Sequence, residues 1–197
     1  MAISAAQVKE LRDLTGAGIM ESKRALEEAD GDVRQAQALL MQQGLAKAEK
    51  KSGRAAQQGI VEPYIHGGGR IAALVEINCE TDFVARTGDF KSLAHDVAMQ
   101  VAAMAPRYVS EQDIPDEEWA GLESEFGDRK KALEAVSLLD QPFIKDPKVT
   151  IRDLNKAAIS KLGENVIVRR FARFEIGTDQ PAAEASDDEK PLELAAR

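Results

Sequence analysis

The chain has little that would tie it to a membrane, a secretory route or a nucleic acid. Among its 197 residues there is no run of about 18 consecutive apolar residues, so no membrane-spanning helix is expected. The amino terminus lacks the basic, apolar and small-residue succession of a signal peptide. A single cysteine, Cys79, excludes an intrachain disulfide and suits a reducing compartment. A cytoplasmic location is therefore the expectation. Positive charge is in deficit: 34 acidic residues against 26 basic ones give a net charge of −8, whereas phosphate neutralisation needs clustered cations. Direct nucleic-acid binding is not expected, and protein partners are favoured. Cofactor and metal motifs are absent as well, since the turn His66, Gly67, Gly68, Gly69 lacks the lysine and following helix of a phosphate loop.

What is present reads as an α+β protein: a three-helix amino-terminal module over 1–44, then a core of antiparallel sheet flanked by helices over 60–177. Ser4 with Gln7, and Asp32 with Gln35, have the spacing of capping boxes, which places helix starts near Ala5 and Val33. The turns at 15–18 and 30–32 break the pattern between them. Val8, Leu11, Leu14, Met20, Leu26, Val33, Ala36, Leu39 and Leu40 recur at helical steps and form the expected core of this module. Residues 45–59 carry Lys47, Lys50, Lys51 and Arg54 with no apolar stripe, as a solvated, partly helical linker does, and their charge is suited to steering a partner. A hairpin follows, with strands over 60–65 and 70–77 and with Pro63 restricted to an edge or bulge. Phe90, Leu93, Ala94, Val97, Ala98, Val101 and Met104 make an amphipathic helix that stops before Pro106. Another helix starts after Pro115, with Trp119, Leu122 and Phe126 on one face. Helix 150–162 carries Ile151, Leu154, Ala158 and Leu162 inward and ends at Gly163, and 166–176 is the last strand. Residues 178–197 are acidic and contain two prolines, the composition of a disordered tail.

The stretch from Glu76 to Arg86 is the most informative. It sets Phe83 beside Asp82 directly after an apolar strand, with Thr81 able to cap a helix that begins at Asp82. The local pattern leaves two readings open: a capped helix with Phe83 in the core, or an aromatic presented on a turn to a partner's pocket.

The words Asn78, Cys79, Glu80, Thr81, Asp82, Phe83, Val84 resemble the central motif of the bacterial translation elongation factor Ts family. Three further blocks agree in order: Val8 to Arg12 with Thr15 to Gly18 and Lys23 to Leu26; Gln141, Pro142, Phe143; and Gly163 to Phe171. The resemblance covers 3–177. It implies a ubiquitin-associated-like amino-terminal module and a guanine-nucleotide exchange factor that makes no bonds of its own. Such a factor binds elongation factor Tu, a GTPase, displaces Mg²⁺ and promotes release of GDP. The resemblance assigns the Mg²⁺ dislocation to Thr81, Asp82, Phe83 and Val84, with Phe83 as the wedge. It also implies partner contacts through Arg12, Ile19, Met20 and His66. Met20 suits a core position equally well, and because adjacent helical residues face differently, one of Ile19 and Met20 is expected to be exposed. Long members of the family carry the His and Thr-Asp-Phe-Val surfaces in separate copies of the core. One copy holds both here, which implies a homodimer of the kind short members form.

Two departures from the family stand out. The segment between Trp119 and Leu138 is shorter than in most relatives, and Ala172 stands where some short members have a cysteine, so no disulfide can staple a dimer there. Rival readings are a cysteine enzyme using Cys79 with His66 as base, and a ubiquitin-associated-type adaptor or RNA-binding accessory factor without exchange activity.

Overall fold

The computed structural model describes residues 3–178, apart from the side chains at positions 45 and 47. The acidic segment 179–197 lies outside the described residues. Three helices open the chain: α1 (Ala5–Thr15), α2 (Ile19–Glu28) and α3 (Val33–Lys51). Ser4 and Gln7 form the reciprocal capping box that the sequence announces, and Gly16 closes α1 in the left-handed conformation at φ 68°. Asp32 caps α3 by accepting from the N–H groups of Arg34 and Gln35. Leu11, Ala25, Leu26, Ala29 and Ala36 form the buried core, with Val8, Val33, Leu39 and Leu40 against it.

Two expected core residues stand outside it. Leu14 is 58% exposed and Met20 74% exposed. Leu14 turns toward a groove shared with a later helix rather than into the bundle. Met20 lies two residues before the fully buried Ser22, roughly 200° around the helix from it.

Of the linker expected over 45–59, partly helical in that reading, 45–51 belong to α3, which runs unbroken through Gly44 to Lys51, and this part is not solvated, because Ala48 is buried in the main core. Ala, Glu and Lys are strong helix formers, so the helix continues without a large apolar stripe. The contact face is made of small residues instead. A side chain at Gly44 would press to 2.8 Å from the Ser160 hydroxyl, so glycine lets the two helices approach.

The core domain follows. Strands β1 (Gln58–His66) and β2 (Ile71–Cys79) pair antiparallel across the glycine turn, so the first strand is longer than its apolar residues indicate. The single turn α4 (Asp82–Ala85) leads into α5 (Gly88–Met104). The short helices α6 (Trp119–Phe126) and α7 (Arg129–Val136) form a hairpin with its own apolar cluster, where the Arg129 guanidinium lies 3.7 Å from the Trp119 ring centre. The shortened segment thus still holds two helices. A small hairpin of β3 (Pro142–Phe143) and β4 (Asp146–Thr150) precedes α8 (Ile151–Leu162) and β5 (Val166–Glu175).

The main sheet has the order β1-β2-β5, antiparallel throughout, so Pro63 sits on an edge strand as expected. One face of β2 (Ala73, Val75, Ile77, Cys79) packs on α5, whose Phe90, Val97 and Val101 share one buried core with Ile151 and Ile159 of α8. The buried Gln100 ties α5 to the β3 hairpin. Its amide donates to the Gln141 side chain and the Pro142 carbonyl, and its oxygen accepts from the Ile144 N–H. No described helix is long and apolar enough to cross a membrane.

At Gly59 the backbone of β1 leaves no room for a side chain against β2. An added Cβ would run into the Ile77 carbonyl and lie 2.8 Å from the Asn78 Cα. Gly59→Ala is expected to cost about 2–3 kcal/mol. Gly121, in α6 with open space around it, is the control: Gly121→Ala is expected to add about 0.4–1 kcal/mol. Urea unfolding of the two variants checks both signs.

Candidate functional site

The site is built where β2 ends. Cys79 is fully buried, and its thiol donates to the Thr81 carbonyl at 3.1 Å. Thr81 is extended (φ −127°, ψ 152°) and caps α4, its hydroxyl accepting from the Val84 N–H at 3.4 Å. From across the sheet, the Glu164 carboxylate takes both donors of Thr81, the backbone N–H at 3.0 Å and the hydroxyl at 2.7 Å. Val84 and Ala85 are buried, at 8% and 5% exposure. Thr87 closes the turn by donating its hydroxyl to the Val84 carbonyl at 2.8 Å while accepting from the Phe90 N–H at the start of α5.

Between these anchors Phe83 is 81% exposed. The core-Phe reading is thereby overturned, although Thr81 is an N-cap as that reading required. Most of the roughly 2 kcal/mol that burial of a Phe side chain supplies is unrealised in the free chain. Asp82 is exposed and paired with Arg86 at 2.8 Å, an arrangement worth little in solvent.

Arg12, Ile19 and Met20 lie on the amino-terminal module. All three are exposed, Ile19 by 59%, so both members of the adjacent pair face solvent rather than one. The fold carries this module to the end of the sheet that holds Phe83. The stem of Lys161 in α8 lies against Gly16, at the α1–α2 turn. Its ammonium donates to Asp89 at 2.8 Å, at the start of α5 and directly after the Phe83 turn. A cavity of about 240 Å³, lined by Leu14, Leu40, Met41, Lys156 and Ala157 among others, separates the module from α8.

His66 is not brought to this end. It pairs with Ile71, whereas Cys79 pairs with Gln58, eight residues away on β1 and roughly 26 Å along the strand. The exposed His66 ring stacks on Tyr64 at 6.1 Å. Tyr64 also meets His95 edge-on at 5.5 Å, and His95 contacts Glu62 at 3.1 Å. Both histidines of the chain therefore flank one tyrosine on edge strand β1.

The same distance removes the cysteine-enzyme reading, since His66 cannot serve as base for Cys79. Burial pushes the Cys79 thiol above its ordinary pKa, and the Glu164 carboxylate adds to the shift. Among the described residues no three His, Cys, Asp or Glu side chains gather as a metal cluster. The contacts of Glu164, Lys161 and Asp89 escape the reading of the sequence. The two contacts made by Glu164 span 83 residues, and the Lys161–Asp89 pair spans 72, separations that no local pattern reports.

Residues 44–126 match the family model described as Elongation factor TS. The chain is 52% identical over 194 residues to Elongation factor Ts of Carboxydothermus hydrogenoformans, covering 89% of each chain. It is 49% identical to that of Coprothermobacter proteolyticus over 90% of this chain and 100% of the relative. With that of Heliobacterium modesticaldum it shares 47% identity over 94% of each chain.

A thiol as buried as Cys79 should be inert in the folded chain. Ellman's reagent is expected to label it only with the kinetics of unfolding, more than about a hundredfold slower than in urea. Labelling of the native protein within seconds would contradict this geometry.

Proposed function

The chain belongs to the elongation factor Ts family of translation elongation factors, and from that premise we propose that it acts as a guanine-nucleotide exchange factor on elongation factor Tu in the cytoplasm. One observation carries this reading: Phe83 projects from a turn whose next two residues, Val84 and Ala85, are buried and whose cap is held from outside the turn. A benzyl group carried on a turn held in this way supplies binding free energy without the backbone first ordering itself. An exchange factor must prefer the empty GTPase to the occupied one, because a ligand shifts an equilibrium only through differential affinity. By linkage, bound nucleotide weakens the factor's hold equally.

In this mechanism Phe83 enters the GTPase beside its metal site and disturbs the Mg²⁺ that bridges protein and phosphates. Asp82 brings negative charge near groups that hold the ion, which requires it to leave Arg86. Thr81 sets the angle of the turn, and Val84 anchors it from below. Arg12, Ile19 and Met20, at the same end of the molecule, contact the same domain of the partner. The chain does no bond-making chemistry and needs no cofactor or metal of its own.

His66, at the far end of the sheet, cannot reach that surface from the same subunit. We propose that a homodimer supplies it. Support comes from the sheet face turned away from α5, where Val61, Ile65, Leu74 and Phe174 are exposed by 61%, 69%, 44% and 60%. The register places all four on one side, around Ala72 and Ala172. Monomeric proteins rarely leave so continuous an apolar face open. Glu76 and Arg170 pair across it at 2.7 Å, and the guanidinium holds the Glu76 carboxyl below its ordinary pKa.

The exchange reading is tested by following release of a fluorescent GDP from elongation factor Tu. The chain is expected to accelerate release strongly, and Phe83→Ala to lose about 2 kcal/mol of that effect, roughly thirtyfold. Equal acceleration by both would remove Phe83 from the mechanism, and none by either would remove the function. For the dimer, sedimentation of Leu74→Asp is expected to report the 21.4 kDa monomer at concentrations where the parent chain sediments as a pair.

A further inference from the structure

Glu164 stands outside every motif assigned to the exchange surface, yet it is the outer support of the turn that carries Phe83. Its loop is fixed before it reaches the turn. Gly163, left-handed at φ 78°, ends α8 and sends the chain back toward β2. Asn165, 1% exposed, donates its backbone N–H to Glu80 at 2.7 Å and its side-chain amide to the carbonyls of Ser52 at 3.3 Å and Arg54 at 2.7 Å. Glu164 therefore projects from a backbone tied both to the strand end that precedes Thr81 and to the segment following α3.

Its two carboxylate oxygens meet two different donors of one residue. Oε2 accepts from the Thr81 N–H and Oε1 from the Thr81 hydroxyl. Both bonds are charge-assisted, and two bonds to one residue fix orientation as well as distance. The consequence reaches Phe83 through the cap. The Thr81 hydroxyl has one proton, and giving it to Glu164 leaves its lone pairs directed at the Val84 N–H. A hydroxyl free to rotate would otherwise offer its lone pairs to water. With the Cys79 thiol on the Thr81 carbonyl, the residue before Asp82 is held at its N–H, its carbonyl and its side chain.

We infer that Glu164 is a positioning residue for exchange, which acts through Thr81 to fix the direction in which Phe83 is presented and touches neither the nucleotide nor the metal. This rests on the exchange reading given above. A second consequence follows from Asn165: because the same two-residue loop holds the chain just beyond α3, the amino-terminal contact patch and the wedge share one support.

The test is a comparison of Glu164→Gln, Thr81→Val, Thr81→Ser and the Glu164→Gln/Thr81→Val double variant. Glutamine keeps one acceptor oxygen but turns an NH₂ toward the second donor, so one bond is lost without a change of shape. At saturating factor, Glu164→Gln is expected to lower the plateau rate of GDP release roughly five- to tenfold, the scale of one charge-assisted hydrogen bond. Its half-saturating concentration should remain near that of the parent and its thermal midpoint should fall by only about 2–4 °C, a split that loss of fold or of affinity would not produce. Thr81→Ser, which keeps both donors, should preserve slow hydrogen exchange of the N–H at that position in the free chain. The double variant should lose less than the product of the single losses, because both substitutions break one unit. An unchanged plateau for Glu164→Gln, a change in half-saturation alone, or losses that multiply would overturn the proposal. Amide hydrogen exchange in the free chain decides the geometric part without the GTPase. The Thr81 N–H should exchange about tenfold or more faster in Glu164→Gln, and equal protection would sink the clasp. Failure of the parent chain to release GDP, by contrast, would fall on the exchange reading and leave the hydrogen-exchange result standing.

Discussion

The inward anchoring of Val84 and Ala85 is the constraint on which the site depends. On a single helical turn each residue points about 100° from the last, so with these two committed to the core the residue before them has no inward direction left. Phe83 faces solvent for that reason, and the cost of its exposure is met by the core into which its neighbours pack. The turn is also too short to be stable by itself. Four residues form no independent helix, and α4 persists because β2 leads rigidly into it and α5 leads rigidly out. Rigidity matters here because an aromatic that needed ordering on contact would lose part of its binding free energy to entropy.

The placement of the amino-terminal module follows from packing rather than from charge. The Lys161–Asp89 pair marks where the module meets the Phe83 turn, but both side chains are about half exposed, and such pairs contribute little. What carries α3 onto the core is the close approach allowed by Gly44 and the burial of Ala48. One continuous helix thus belongs to two apolar clusters, the small bundle at its start and the main core at its end. A three-helix unit of this size has little core of its own, and leaning on α8 offsets that shortage.

Much of the architecture was legible in the residues. The Ser4 and Asp32 caps, the glycine hairpin, the Phe90-to-Val101 stripe and the left-handed Gly163 are local features whose chemistry specifies one conformation. Other features were hidden because they depend on distant partners. Periodicity marks Leu14 as apolar without saying that it lines a groove against α8. The 45–51 segment looked like a linker because its contact face is built from small residues. The direction of Phe83 was undecided by local pattern, since an N-cap and a short helix fit both a buried ring and a presented one. Resemblance favoured presentation, and the burial of the two following residues is its physical cause. Glu164 stood in the Gly163-to-Phe171 block, but its contact with Thr81 was invisible, because the two residues are far apart in the chain.

The central claim is that this molecule stores, in an outward phenyl ring and a firm support beneath it, binding free energy that a GTPase can collect only by giving up its nucleotide. Titration calorimetry of the chain into elongation factor Tu, once emptied of nucleotide and once saturated with GDP and Mg²⁺, measures that difference directly. The account predicts tighter binding to the empty GTPase by at least about a hundredfold, or roughly 2.7 kcal/mol. Equal affinity for the two forms would contradict it.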